Sequence, residues 1–85
     1  MKSNELLDVL KKYLGIERRA QIAKYDSIKK ILKKLKKKEN ALKDKLKKED
    51  DEKRLKRLQK EMNILSVQRK KGVKMLKELK VVRNK

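Results

Sequence analysis

Two rows of apolar residues, separated by a short charged segment, place the strongest constraint on how this 85-residue chain folds. Within each row the apolar positions recur every three or four residues, the spacing that lines one face of an α-helix and is typical of coiled coils. The intervening segment, KKEDDEKR, contains no apolar residue, and Glu39 interrupts the first row. The first row consists of Tyr25, Ile28, Leu32, Leu35, Leu42 and Leu46, and the second of Leu55, Leu58, Met62 and Leu65.

The phase of the two rows predicts that the chain reverses direction between them. In an uninterrupted helix, the nine positions from Leu46 to Leu55 turn through about 900°, so the second row would lie on the opposite side of the rod. A turn near Asp50 instead brings the rows face to face. We therefore predict an all-α fold built on an antiparallel, coiled-coil-like helical hairpin, and we call the paired rows the seam. The predicted pairs are Leu46 with Leu55, Leu42 with Leu58, Glu39 with Met62, Leu35 with Leu65, Leu32 with Arg69, Ile28 with Gly72 and Tyr25 with Leu76.

Glycine and capping residues set the expected helix boundaries. Proline is absent and glycine occurs only at positions 15 and 72, so little opposes helix elsewhere. Ser3 or Asn4 is expected to cap a first helix, and Gly15, in a left-handed conformation, to end it so that Ile16 folds back as an apolar contact. A continuous helix through Gly15 is the alternative. The chain is thus interpreted as one helical domain, with a short N-terminal helix over residues 1–15, hairpin helices over 16–48 and 52–82, and a turn over 49–51.

The two ends of the hairpin differ in their expected thickness. Near the turn, between Lys36 and Met62, the seam is narrow, and we call this part the tip. At the other, open end, additional apolar residues widen both helices, so we expect the N-terminal helix, a protein partner or a second copy in a homodimer to cover them. At the turn itself, the acidic residues 49–52 are expected to cap the second hairpin helix.

Two positions fit the apolar seam poorly. Gly72 leaves space that the Tyr25 ring or a neighbouring helix fills, unless the glycine is merely tolerated there. Arg69 requires a path to water along the groove, or else the seam drifts or an acidic partner such as Glu39 or a second chain comes near.

The composition excludes most enzyme chemistry. Without Cys or His the chain has no thiolate nucleophile, no imidazole base and few ligands for transition metals. We therefore expect no enzymatic activity, no cofactor and no metal site. The N-terminus lacks the apolar run and cleavage pattern of a signal peptide, and no segment approaches the roughly 20 apolar residues that span a bilayer. The expectation is a soluble, cytoplasmic protein.

The net charge of +18 indicates a polyanionic partner. Residues 17–48 hold fourteen basic and four acidic side chains, and residues 52–85 hold thirteen and three, so each hairpin arm has a net charge of +10. Basic side chains at this density displace the counterions that condense on a phosphate backbone. We hypothesise that the arms bind nucleic acid, either structured RNA or DNA. The residues expected to do so are Lys29, Lys30, Lys33, Lys34, Lys36, Lys37, Lys38, Lys53, Arg54, Lys56, Arg57, Lys60, Arg69, Lys70 and Lys71.

The types of basic and aromatic residue narrow this hypothesis. Most of the 30 basic residues are Lys, which suits contact with phosphates better than the bidentate reading of guanine. The only aromatic residues, Tyr13 and Tyr25, lie on apolar faces, so stacking on single-stranded bases is disfavoured. Little sequence specificity is expected. The alternatives are a coiled-coil adaptor that binds a protein through its open end, and attachment to an anionic membrane surface, which lacks a Trp or Phe anchor.

Overall fold

The computed structural model describes residues 3–83, with side chains from Glu5 to Val82, and its architecture is an all-α hairpin preceded by a short helix. Four helices follow one another: α1 (Ser3–Gly15), α2 (Arg18–Ala23), α3 (Tyr25–Lys48) and α4 (Glu52–Arg83). The long helices α3 and α4 pack against each other, which confirms the predicted hairpin. The predicted cap at Ser3 or Asn4 lies outside the described side chains.

The hairpin forms an elongated molecule of 50 × 18 × 18 Å. Its core lies at the open end, where Ile28, Leu35 and Leu65 are fully buried. In the tip, the apolar seam residues are only half-buried and Glu39 is the one buried side chain. The seam residues that remain half-buried are Tyr25, Leu42, Leu46, Leu55, Leu58, Met62 and Leu76. Two helices alone cover each other less completely than three, so burial decreases from the open end to the turn.

Helix α1 covers the open end, which was one of the arrangements expected. It packs against both α3 and α4, and its apolar face contributes Leu6, Leu7 and Leu10 to the buried core. Gly72 permits this approach, because a Cβ atom at that position would lie 2.6 Å from Leu32 Cδ2 and 3.2 Å from Leu10 Cδ1. The space at Gly72 is therefore filled by Leu10 of the neighbouring helix α1 together with Leu32 of α3.

Gly72 lies against Leu32 of α3 and Leu10 of α1, whereas pairing from the turn named Ile28 as the residue opposite it. The third helix adds a contact at this end, because Leu10 and Leu32 together fill the space above Gly72. On α4 beyond Gly72, Met75 and Leu79 are buried, while Leu76 is half-buried. A seam extrapolated for two helices does not include this third contact.

A side chain from α2 ends helix α1. The Gln21 amide is buried and donates from Nε2 to the carbonyl oxygens of Tyr13, at 2.9 Å, and Leu14, at 3.4 Å. In a continued helix these carbonyls would accept backbone N–H groups from residues 17 and 18. The break after Gly15 is therefore real, but the expected left-handed conformation is wrong, since no described glycine has a positive φ. Ile16, expected to fold back as an apolar contact, is 37% exposed.

The first hairpin helix, expected to be continuous over residues 16–48, is divided at Lys24. The Lys24 N–H is shared between the carbonyl oxygens of Ala20 and Gln21, both at 3.1 Å, which tightens the last turn of α2. Helical bonding resumes with Ile28 N–H donating to Lys24 O at 2.9 Å. The bend lets the short helix α2 pack on α4 while α3 follows the seam.

The charged residue in the first apolar row has a partner across the seam. Arg69 donates from Nε to Oε2 of Glu39, whose side chain is 7% exposed, and Lys43 Nζ lies 3.8 Å from the other oxygen of Glu39. This confirms the alternative in which Glu39 accompanies Arg69. A charged pair inside an apolar seam favours the alignment that joins its two members, because any other alignment leaves a buried charge without a partner.

Within residues 3–83, no helix has an apolar stretch of the length needed to cross a membrane.

Replacing Gly72 by Leu is expected to lower the free energy of unfolding by about 1–3 kcal/mol, because the new side chain must displace Leu32 and Leu10. The matched control is Gly15→Ala. A Cβ at Gly15 has no atom within 4 Å, so this substitution should leave stability unchanged or raise it by up to about 1 kcal/mol. Urea denaturation followed by far-UV circular dichroism measures both. Equal effects of the two substitutions would contradict the close approach of α1 to Gly72.

Replacing Arg69 by Leu is expected to cost about 2–3 kcal/mol of stability, since it leaves the buried Glu39 carboxylate without its main partner. The double variant Arg69→Leu with Glu39→Leu should recover that loss, because it makes the seam apolar. The control is Arg18→Leu, which breaks the exposed 3.4 Å pair with Glu78 and should cost less than about 1 kcal/mol. If the double variant were as unstable as Arg69→Leu, the pair would not be the cause.

Candidate nucleic-acid interface

The turn that joins α3 and α4 is organised by two acidic side chains. Asp51 is the N-cap of α4: its Oδ1 accepts the N–H of Lys53 at 2.9 Å, and its carbonyl accepts the N–H of Leu55 at 2.9 Å. Glu49 Oε1 accepts the N–H of Asp51 at 3.2 Å. The expected capping function of the acidic run is thereby confirmed at Asp51. The turn holds the basic ends of α3 and α4 beside each other.

All seven predicted phosphate-binding residues of α3 are exposed. They occupy the positions that the seam does not use, and those positions cover most of the circumference of the helix. The densest part is the run KKILKKLKKK, residues 29–38, whose seam members Leu32 and Leu35 are buried. The exposed members of the set are Lys29, Lys30, Lys33, Lys34, Lys36, Lys37 and Lys38.

The predicted residues of α4 divide into two groups. Seven are exposed, namely Lys53, Arg54, Lys56, Arg57, Lys60, Lys70 and Lys71. Arg69 is different: only 24% of its side chain is exposed, and its Nε bonds to Glu39. Arg69 therefore contributes to the packing of the hairpin, which the seven exposed residues do not.

Basic side chains line two open clefts on the described surface. The first, which we call the tip cleft, lies between the end of α3 and the start of α4 and has a volume of about 370 Å³. Its lining consists of Lys45, Lys48, Glu49, Arg54, Arg57 and Leu58. The second, of about 310 Å³, runs along α4 and is lined by Arg69, Lys70, Val73, Lys74 and Lys77.

Sequence reasoning missed Lys45 and Lys48. They belong to the tip cleft but were not among the expected contact residues, which stopped at Lys38 on α3. A signal was present, because Lys45 and Lys48 flank Leu46, and the predicted pair of Leu46 with Leu55 places them near Arg54 and Arg57. The density of basic residues along the sequence is highest at residues 29–38, and the prediction followed it. The tip cleft instead combines basic residues from two separate segments, which the turn brings together.

Few of the basic side chains of residues 5–82 have an acidic partner among those residues. The ion pairs described there are Arg18 with Glu78 and the contacts of Glu39 with Lys43 and Arg69. Most described lysines of the two arms belong to none of these pairs, so water and salt supply much of their counter-charge. Such a surface gains from an external polyanion that replaces those counterions.

The two tyrosines are not available as stacking platforms. Tyr13 and Tyr25 are both half-buried and pack against the core cluster at the open end. Base stacking needs an exposed aromatic face. The candidate interface thus consists of the charged groups of Lys and Arg and the aliphatic stems of these side chains.

Comparison of the chain with protein-family models, with characterised proteins and with solved structures finds no match. Inference about function therefore depends on the surface itself.

Replacing Asp51 by Ala is expected to lower the free energy of unfolding by about 1 kcal/mol, because the Lys53 N–H loses its acceptor and helix α4 loses its N-cap. Asp51→Asn should lower it by only about a few tenths of a kcal/mol, since the amide oxygen can accept the same hydrogen bond. Both variants raise the net charge by one unit, so the comparison separates capping from charge. Thermal unfolding at one fixed ionic strength measures the difference, and equal losses would contradict the capping function.

Proposed function

We propose that this protein binds the phosphate backbone of structured RNA or DNA, with little sequence specificity and without catalysis. The observation that carries the proposal is the surface of the two hairpin arms, where exposed lysines and arginines surround the seam and almost none has an acidic partner among the described residues. Each arm has a net charge of +10 over residues 17–48 and 52–85.

The rod shape of the hairpin suits a linear polyanion. Over its 50 Å length, exposed cations follow much of α3 and both ends of α4, so several phosphates find a counter-charge at the same time. Binding of this kind is driven by the release of condensed counterions. It depends on the spacing and number of charges more than on any single contact.

Recognition through the backbone explains the choice of residues. The ammonium group of Lys is a compact charge on a flexible stem, which adapts to phosphates at variable positions but does not discriminate between bases. The half-buried placement of Tyr13 and Tyr25 against the core also argues against reading of single-stranded bases. Duplexes and folded RNA, which present closely spaced phosphates, are therefore the preferred class of ligand.

The adaptor alternative has less support from the fold. It relied on an uncovered apolar surface at the open end, and α1 covers much of that surface with Leu6, Leu7 and Leu10. Exposed apolar side chains remain on α4: Val81 and Val82 at the open end, and Ile64 and Val67, which are flanked by Asn63 and Gln68.

A fluorescence anisotropy titration with a short RNA duplex at increasing salt tests the proposal. If about six phosphates are neutralised, the logarithm of the association constant should fall with the logarithm of the salt concentration at a slope of about −5. Duplexes of unrelated sequence should bind with affinities within about threefold of each other, because backbone contacts carry no sequence information. Affinity that hardly responds to salt, or no binding near physiological ionic strength, would refute the proposal.

A further inference from the structure

We infer that the tip cleft is a phosphodiester-binding subsite at which Arg54 and Arg57 grip the nucleic-acid backbone, while the lysines of the arms supply diffuse attraction. This inference rests on the proposed function and assigns its main contact to one place. The cleft joins Lys45 and Lys48 from the end of α3 with Arg54 and Arg57 from the start of α4, around the half-buried Leu58.

The distribution of arginine supports this assignment. The chain has only six arginines, and two of them, Arg18 and Arg69, are engaged with Glu78 and Glu39. Arg54 and Arg57 lie one helical turn apart, are exposed, and have no ion pair with a carboxylate among residues 5–82. A guanidinium presents a planar fork that matches two phosphate oxygens, which an ammonium cannot do.

The turn fixes the position of the two arginines. Arg54 and Arg57 belong to the first two turns of α4, at the end of that helix nearest the turn. The Asp51 cap holds this end in place. Four cations from two helices thus surround a volume of about 370 Å³, which is large enough for a phosphate group with its sugar neighbours.

One carboxylate opposes binding in the cleft. Glu49 lines it, but Oε1 of this residue accepts the N–H of Asp51, so the group is held by the turn and does not pair with the four cations. The lining therefore has a net charge of +3, from four basic residues and one acidic residue. Glu49 limits affinity and is a sensitive position for a test.

The charge-conserving double variant Arg54→Lys with Arg57→Lys is the decisive experiment. Net charge and helix propensity stay almost unchanged, so diffuse attraction alone predicts the same affinity for a short RNA duplex as the wild type. A gripping function for the guanidinium forks predicts a loss of about five- to tenfold in anisotropy titrations at physiological salt.

Neutral substitutions provide a matched comparison. Lys45→Gln with Lys48→Gln removes two charges from the cleft, and Lys30→Gln with Lys37→Gln removes two exposed charges from α3 outside it. The first pair should reduce duplex affinity at least about threefold more than the second. Glu49→Gln keeps an acceptor for the Asp51 N–H and should raise affinity by about two- to threefold, more than Asp8→Asn on α1 does.

Arginine side-chain NMR gives a readout that is independent of affinity. On addition of the duplex, the Nε–H signals of Arg54 and Arg57 should shift, whereas that of Arg18, which pairs with Glu78, should not. If the wild type binds the duplex while the arginine-to-lysine variant binds equally well and these signals stay in place, the subsite is refuted and the proposed function stands. If the wild type binds anionic phospholipid vesicles but not the duplex, both are refuted.

Discussion

The structure depends on a narrow apolar seam that holds together two helices of like charge. Each arm has a net charge of +10, and their repulsion is only partly screened by salt. Burial that opposes this repulsion is concentrated at the open end, where α1, α3 and α4 share Leu10, Leu32, Leu65 and their neighbours. The third helix therefore contributes what two thin helices lack, namely a core wide enough to enclose side chains on every side.

The fold could be predicted from the sequence to the extent that one seam and one turn determine it. The phase of the two leucine rows indicated that the chain reverses direction between them. The acidic residues at the turn, Asp51 among them, indicated how α4 is capped. The contacts at the open end could not be obtained in the same way, because Gly72 meets Leu32 and Leu10 from two different helices. A periodic pattern in one helix contains no information about where a separate helix docks.

The local prediction for the end of α1 was wrong for a related reason. Gly15 suggested a left-handed end to α1, but the carbonyls of Tyr13 and Leu14 accept hydrogen bonds from the amide of Gln21, which lies eight and seven residues away in sequence, respectively. Glutamine has no strong position preference at a helix end, so its function becomes visible only in three dimensions. On the surface, the exposed lysines of α3 followed directly from periodicity, whereas the tip cleft required the geometry of the turn to bring Lys48 near Arg57.

The separation of the core from the charged cleft has a consequence for how binding and stability are coupled. Buried apolar residues lie at the open end, whereas the tip has half-buried leucines and the Glu39–Arg69 pair as its internal contacts. The tip is thus the part with the least burial to offset its charge, and it should open at a lower free energy than the base. A phosphate backbone in the tip cleft neutralises that charge only while α3 and α4 stay together there. Because such a ligand binds the closed tip in preference to the open one, binding should stabilise the hairpin, and most strongly near the turn.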